Sequence, residues 1–180
     1  MADGSSGLWL DQNLTVNANT VYVNKIGEEQ ELVGKDVEIS MPEIRNLTVD
    51  ATAMGTLAVP VISQFENWEA TIHHIGIDMG LAKMQAQATL ELEIRWVEQI
   101  MKEDGSQERV GCKAYLVGFP QTAVPAYTIK PGEPIDVEIP YTITGYKCVK
   151  DGEVLWDINR LHQKCIINDV DYFAEISSML

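Results

Sequence analysis

The stretch Leu90-Glu-Leu-Glu-Ile-Arg-Trp-Val97 alternates apolar and charged side chains without a break. Leu90, Leu92, Ile94 and Trp96 fall on one side of an extended chain; Glu91, Glu93 and Arg95 fall on the other. A period of two marks a β-strand with one face buried and one wet. Working outward, a polar segment holding Asp104-Gly105 leads into a second strand-like run over residues 110–119. Alternation returns at Ile135, Val137 and Ile139, opposed by Asp136 and Glu138, and heads toward Asp151-Gly152. Asp-Gly between such runs signals a hairpin. The pattern predicts a mainly β, antiparallel fold whose wet face is rich in carboxylates.

Composition sets limits on function. The chain has 180 residues, 46% of them hydrophobic, which suits one domain that needs no disulfide or metal staple. The net charge of −14 argues against attraction to DNA phosphates or anionic lipid, both of which need clustered Lys and Arg. No apolar run reaches membrane-spanning length. The start, Met1-Ala-Asp-Gly-Ser-Ser-Gly7, has neither a basic segment nor a long apolar one and does not read as a signal peptide. Cys112, Cys148 and Cys165 are odd in number and widely spaced, without Cys-x-x-Cys. They read as buried, reduced thiols, and a cytoplasmic site of synthesis is the expectation.

Along the chain, residues 1–13 read as a loose Gly/Ser-rich segment and residues 14–180 as a single β domain. A strand over residues 14–23 is expected to turn near residues 27–29. A second strand then runs through Val33, Val37, Ile39 and Met41, with Asp36, Glu38 and Ser40 opposite, until Pro42 limits ladder pairing. Residues 46–63 differ: small residues, Gly55 and Pro60 interrupt them, yet Met54, Leu57 and Val59 are apolar. A surface loop keeps such side chains when something covers them, so this segment reads either as a bulged strand or as an arm that packs on another subunit. Residues 65–76 fit two periods. Phe65, Trp68, Ile72 and Ile75 have helical spacing, with Ser63-x-x-Glu66 resembling a capping box, while Trp68, Ala70 and Ile72 also alternate with Glu69, Thr71 and His73. Asp78 is placed to cap a short helix carrying Leu81, Met84 and Ala88. Residues 154–159 read as a strand, Asn168-Asp169 as a turn, and residues 172–180 as one or two helical turns with Tyr172, Ile176 and Leu180 on one face.

The sequence offers little chemistry. His73 and His74 are adjacent, so on a strand they point to opposite faces and do not share an ion. Glycine-rich phosphate loops and Gly-x-Ser-x-Gly elbows do not occur. Paired carboxylates such as Glu91 and Glu93 have glycosidase-like spacing, but neighbours two apart on any strand do. Trp96 and Trp156 read as core anchors. No catalytic, metal-binding or cofactor site is expected, and an enzyme and a small-ligand-binding β-barrel are the readings set aside.

Several segments carry a resemblance. Phe65-Glu-Asn-Trp-Glu-Ala-Thr-Ile72, Ile75-Gly-Ile-Asp78, Leu90 to Val97, Gly111-Cys-Lys-Ala-Tyr-Leu-Val-Gly-Phe-Pro120 and the closing Ile167-Asn-Asp-Val-Asp-Tyr172 resemble the major tail tube protein family of contractile-tailed phages. Val37-Glu-Ile-Ser-Met-Pro-Glu-Ile44, followed by a Met-Gly segment, is similar to that family's strand into its long inter-ring loop. The resemblance spans residues 14–180 and favours the strand reading of residues 65–76.

What the resemblance implies is a β-sandwich or barrel-like protomer with one short side helix and a short C-terminal helix. Six protomers would form a ring whose inner sheets join into one continuous β-barrel. Rings would stack into a hollow tube inside a contractile sheath, which penetrates a target envelope and, in a phage, conducts the genome. Tubes of headless tailocins and of secretion systems share this architecture. Expected partners are further copies of the chain, the sheath protein, and baseplate or initiator, tape-measure and terminator proteins; DNA would pass without specific binding. The expected location is the virion tail or tailocin particle. In this frame Thr52, Met54, Leu57 and Val59 belong to the inter-ring loop, and some of Asp36, Glu38, Glu91, Glu93, Asp136 and Glu138 face the lumen.

Overall fold

The structure, a computed structural model, describes residues 11–25 and 30–180; the side chains of Lys25 and Ser63 lie outside that description. Twelve strands and two short helices are present among the described residues. They run β1 (Gln12–Lys25), β2 (Glu31–Lys35), β3 (Ile39–Ser40), β4 (Asn46–Thr52), β5 (Thr56–Phe65), β6 (Trp68–Ile75), α1 (Met79–Met84), β7 (Leu90–Met101), β8 (Gln107–Pro120), β9 (Asp136–Lys150), β10 (Glu153–Asn159), β11 (Lys164–Ile167), β12 (Val170–Asp171) and α2 (Ala174–Met179). Ten of the strands form one antiparallel sheet, ordered β12-β11-β10-β9-β8-β7-β1-β2, with β6 beside β9 and β3 beyond β6. β4 and β5 pair only with each other.

The quoted alternation explains β7. Leu90, Leu92 and Ile94 are buried and meet Ala114 and Leu116 of β8 and Val21 and Val23 of β1 in one core. β6 supplies Trp68, Ala70 and Ile72 to that core, and β9 supplies Val137, Ile139, Tyr141 and Ile143. The strand period therefore wins over the helical one at residues 68–75. No helix forms at the Ser63-x-x-Glu66 pattern, because Glu66 and Asn67 bridge two strands. Helix α1 starts where Asp78 accepts a hydrogen bond from the Leu81 amide at 2.9 Å. It buries Leu81 and Met84 but ends before Ala88, which lies in the bend leading to β7. The Tyr141 hydroxyl donates to the Met84 carbonyl at 2.5 Å and fastens the helix to the core.

Two irregularities shape the sheet. The single strand expected through Val33, Val37, Ile39 and Met41 is broken, because Asp36 sits in the left-handed region at φ 51°. Before the break β2 pairs with β1; after it β3 pairs with β6, so the chain crosses from one edge of the sheet to the other. On β9 the inward positions are odd through Ile143 and even from Tyr146. The register slips where Gly118 opposes Ile143 and Val117 opposes Gly145, leaving Thr144 as an extra residue. At the same place the far side of β9 passes from β6 to β10. Gly118 is obligatory there, since a Cβ would lie 2.2 Å from the Thr142 carbonyl oxygen.

The two Asp-Gly sites differ. Asp151-Gly152 joins Lys150 and Glu153 as a two-residue turn with both φ positive, the pattern of a type I′ hairpin. Asp104-Gly105 instead lies within a longer loop between Met101 and Gln107. The N-terminal boundary also moves: β1 already pairs at Gln12 and Asn13, so residues 12 and 13 belong to the sheet. Asp11 lies outside the strand, and the expectation of a loose segment otherwise falls on residues 1–10, outside those described, as does the turn at residues 27–29. All three cysteines are free and buried.

Candidate assembly surface

Residues 46–65 form neither a loop nor an ordinary strand of the sheet. They form a β-hairpin whose root is fixed and whose body is free. At the root, Asn46 pairs with Phe65, the Glu66 amide donates to the Arg45 carbonyl at 2.9 Å, and Arg160 donates to the Phe65 carbonyl at 3.0 Å. Phe65 packs edge-on against buried Trp68, with ring centroids 5.4 Å apart, and against Phe173. Beyond the root, residues 47–60 are all exposed.

The register sorts this arm into two faces, since residues directly opposite in an antiparallel pair share a side. Val49 opposes Val59 and Ala51 opposes Leu57, giving an apolar face. Thr48 opposes Pro60, Asp50 opposes Ala58 and Thr52 opposes Thr56, giving a more polar one. The tip turns through Met54 and Gly55, both at positive φ, and Met54 stands wholly in solvent. Of the four expected loop residues, Leu57 and Val59 thus share the apolar face, Met54 stands at the tip, and Thr52 lies on the opposite side. Val49 and Leu57 are 59% and 54% exposed.

The six candidate carboxylates fall into three settings. Glu91 and Glu93 lie on the wet face of the long strands, where Glu93 opposes Tyr22 and Tyr115, and Tyr115 opposes Lys147. Glu93 is nearly buried. Burial alone would raise its pKa, yet hydrogen bonds from Arg95 and Gln30 outweigh that and hold it below the usual range. The Arg95 guanidinium also stacks over the Tyr22 ring at 4.4 Å. With Arg95, Lys113, Lys147 and Lys164 interleaved among Glu91, Glu93 and Asp157, this face has mixed charge, unlike the acidic surface that one strand suggested.

Glu38, just before β3, and Asp136 and Glu138 of β9 lie elsewhere, around the outward face of β6. Glu138 opposes His73, whose amide donates to the Glu38 carbonyl, and Asp136 approaches His73 Nδ1 at 3.6 Å. Glu69 shares this face, two pairs further along β6, and was not singled out from the sequence although its alternation with Ala70 shows it. Neither β3, β6 nor the stretch of β9 paired with β6 carries a Lys or Arg, so the group is uncompensated within its strands. Asp36 belongs to neither set: its carboxylate accepts the Asn19 amide at 3.2 Å and serves the chain break.

His74 points inward, as expected for the neighbour of His73, and its Nε2 lies 3.0 Å from Asp78. No cluster of metal-ligating side chains exists among the described residues. Trp96 and Trp156 are partly buried against the core. Trp96 Nε1 donates to Glu98 at 2.8 Å, and Lys150 donates to the same carboxylate at 2.6 Å. Burial works to raise the Glu98 pKa, but these hydrogen bonds prevail and lower it to about 2.

A free two-faced hairpin thus stands out from an open antiparallel β scaffold, the feature that sets this fold apart. The phage tail tube protein FII family matches residues 15–180, and the chain belongs to it. Among solved structures, it is similar to a chain of an extracellular contractile injection system, the PVC sheath–tube complex in its extended state. The two are 14% identical, the match covers 73% of this chain and 86% of that one, and the TM-score is 0.46. A search of curated proteins finds no match.

Proposed function

We propose that this tail tube protein forms hexameric rings that stack into the hollow inner tube of a contractile tail, with the β4–β5 hairpin bridging one ring to the next. The observation that carries this reading is the uncovered apolar face of the hairpin. Exposed apolar area of this kind on a monomer marks an interaction site, and a partner that covers Val49, Leu57 and Val59 removes it from water. Among the described residues the outer edges of β2, β12 and the hairpin itself are unpaired, and pairing between copies would remove them.

The channel is assigned to the face carrying Glu38, Glu69, Asp136 and Glu138. A wall of uncompensated carboxylates repels phosphate and lets DNA slide without adhering, the reverse of a binding groove. This favours a phage tube that conducts a genome over the tube of a headless particle. The sheath would grip the outside, while baseplate, tape-measure and terminator proteins would set where the tube begins and ends.

Electron microscopy of the purified protein, with mass by light scattering, tests the reading. Hollow tubes or hexameric rings are expected, either spontaneously or after seeding with broken tail tubes. A protein that stays monomeric at high concentration and also fails to extend seeds would refute it.

A further inference from the structure

We propose that the apolar face of the hairpin docks on a specific platform of another copy in the next ring, built from residues 75–79 and 121–135. This rests on the tube reading above and names the surface that receives the arm. Ile75, Ile77 and Met79 are all more than half exposed where β6 runs into α1. Val124 and Ile129, 79% and 76% exposed, and Tyr127 project from the connection between β8 and β9. The two segments adjoin, because the Gly76 amide donates to the Ile135 carbonyl at 2.8 Å and Ile75 pairs with Asp136.

The connection over residues 121–135 has no helix or strand, yet it is held in place. Pro125 is buried, Gln87 donates to the Thr122 carbonyl, and Pro131 and Pro134 restrict the backbone. Structureless connections this long inside a compact domain are usually functional. A rigid loop that displays apolar side chains has little ordering entropy left to lose on docking.

Charge selects the occupant. Copies of a chain with net charge −14 repel one another, so contact between them is least opposed where charge is lowest. The hairpin carries one charge over residues 46–65, Asp50, and it lies on the face away from Val49 and Leu57. On the platform, Lys130 and Glu133 neutralise each other at 2.5 Å, and Asp78 is engaged by the Leu81 amide and His74. Both surfaces are therefore apolar and carry little uncompensated charge of their own, the nearest being Asp136 opposite Ile75 at the platform's edge.

The protomer does not satisfy its own arm. Val49 and Leu57 on the arm and Val124 and Ile129 on the platform are all more than half exposed in one protomer, so the two surfaces do not cover each other there. Two unlike surfaces on one chain make a heterologous contact, which grows without closing when the rotation does not return to the start. Stacking of rings is such a contact.

The test is disulfide capture in assembled tubes. Leu57→Cys and Ile129→Cys place thiols on the two surfaces, and the three native cysteines are buried. Tubes co-assembled from the two single variants and then oxidised should give covalent dimers, and tubes of either single variant should not. The double variant should give a ladder that continues past the number of subunits in one ring. Normal tubes without mixed dimers would overturn the docking and leave the tube reading standing, whereas a ladder ending at a closed ring would place the arm within the ring and also overturn it. If the unmodified protein forms no tubes even from seeds, both readings fall together. As an independent check, Ile129→Asp should raise the concentration needed for assembly at least tenfold without moving the melting temperature; assembly at the unmodified concentration would count against the platform.

Discussion

Leu57 and Thr56 are neighbours on β5 whose side chains leave opposite faces of the hairpin. Replacing each in turn by Asp asks whether the apolar face drives assembly. Leu57 is 54% exposed in the protomer, so about half of its burial is still to be gained. Full burial of a Leu side chain contributes about 1.5–3 kcal/mol, which leaves roughly 1 kcal/mol for docking. A carboxylate in its place forfeits that gain and adds the cost of desolvating a charge, which amounts to several kcal/mol. Each added subunit repeats the contact, and about 1.4 kcal/mol is a factor of ten in an equilibrium constant, so the critical concentration for L57D should rise at least roughly tenfold. Thr56→Asp adds the same charge to the face that already holds Asp50 and should assemble at nearly the unmodified concentration. Both sites are exposed, so stability should change by no more than about 0.5 kcal/mol in either variant. Pelleting across a concentration series, with negative-stain microscopy and thermal melts, reads all of this. Tubes of L57D at the unmodified concentration, or equal loss in both variants, would refute the two-faced hairpin as the driver of assembly.

Deleting residues 52–59 should leave a folded protein, by circular dichroism and melting temperature, that forms no tubes, since this stretch contributes nothing to the core. Tyr141→Phe removes the buried hydrogen bond to Met84 and orphans its carbonyl, and should cost about 1–3 kcal/mol in denaturant unfolding. Gly118→Ala should cost about 3 kcal/mol, because the obstructing atom is the Thr142 backbone oxygen and cannot swing aside. Glu98 has a folded-state pKa lowered from 4.5 to about 2, so its ionised form stabilises the fold at pH above 4.5, and that stability is lost as pH falls toward 2. Denaturant midpoints over that window should fall less steeply in Glu98→Gln than in the unmodified protein; parallel slopes would contradict the assignment.

The strands were legible where burial is one-sided. Residues 90–97 and 135–139 alternate because one face of β7 and β9 meets a dense core and the other meets water, and the sequence records that difference directly. The short helix was equally plain, since capping by Asp78 is a local event. The break at Asp36 was not, because apolar residues of the same parity stand on both sides of it, Val33 before and Val37 and Ile39 after, with only Lys35 between, while the partner strand changes from β1 to β6. The mixed charge of the wet face was likewise hidden. Glu93 belongs to one strand and Lys147 to another, and only the cross-strand register brings them near each other. The hairpin was half legible. Its apolar residues stood out, but their division into faces depends on Val49 lying opposite Val59, which Ala51, Ala53 and Ala58 dilute in a hydropathy pattern.

The buried cysteines bear on how the protein fares outside a cell. Thiols oxidise through the thiolate, and the pKa of Cys112 is pushed up to about 11 from 9.0, chiefly by burial, with Glu98 adding to the effect. Such a shift lowers its thiolate fraction near neutral pH roughly a hundredfold. Cys148 and Cys165 are shifted in the same direction by the same cause. Thiols that are buried and held protonated in this way oxidise slowly, so the purified protein should retain three free thiols in air without a reducing agent.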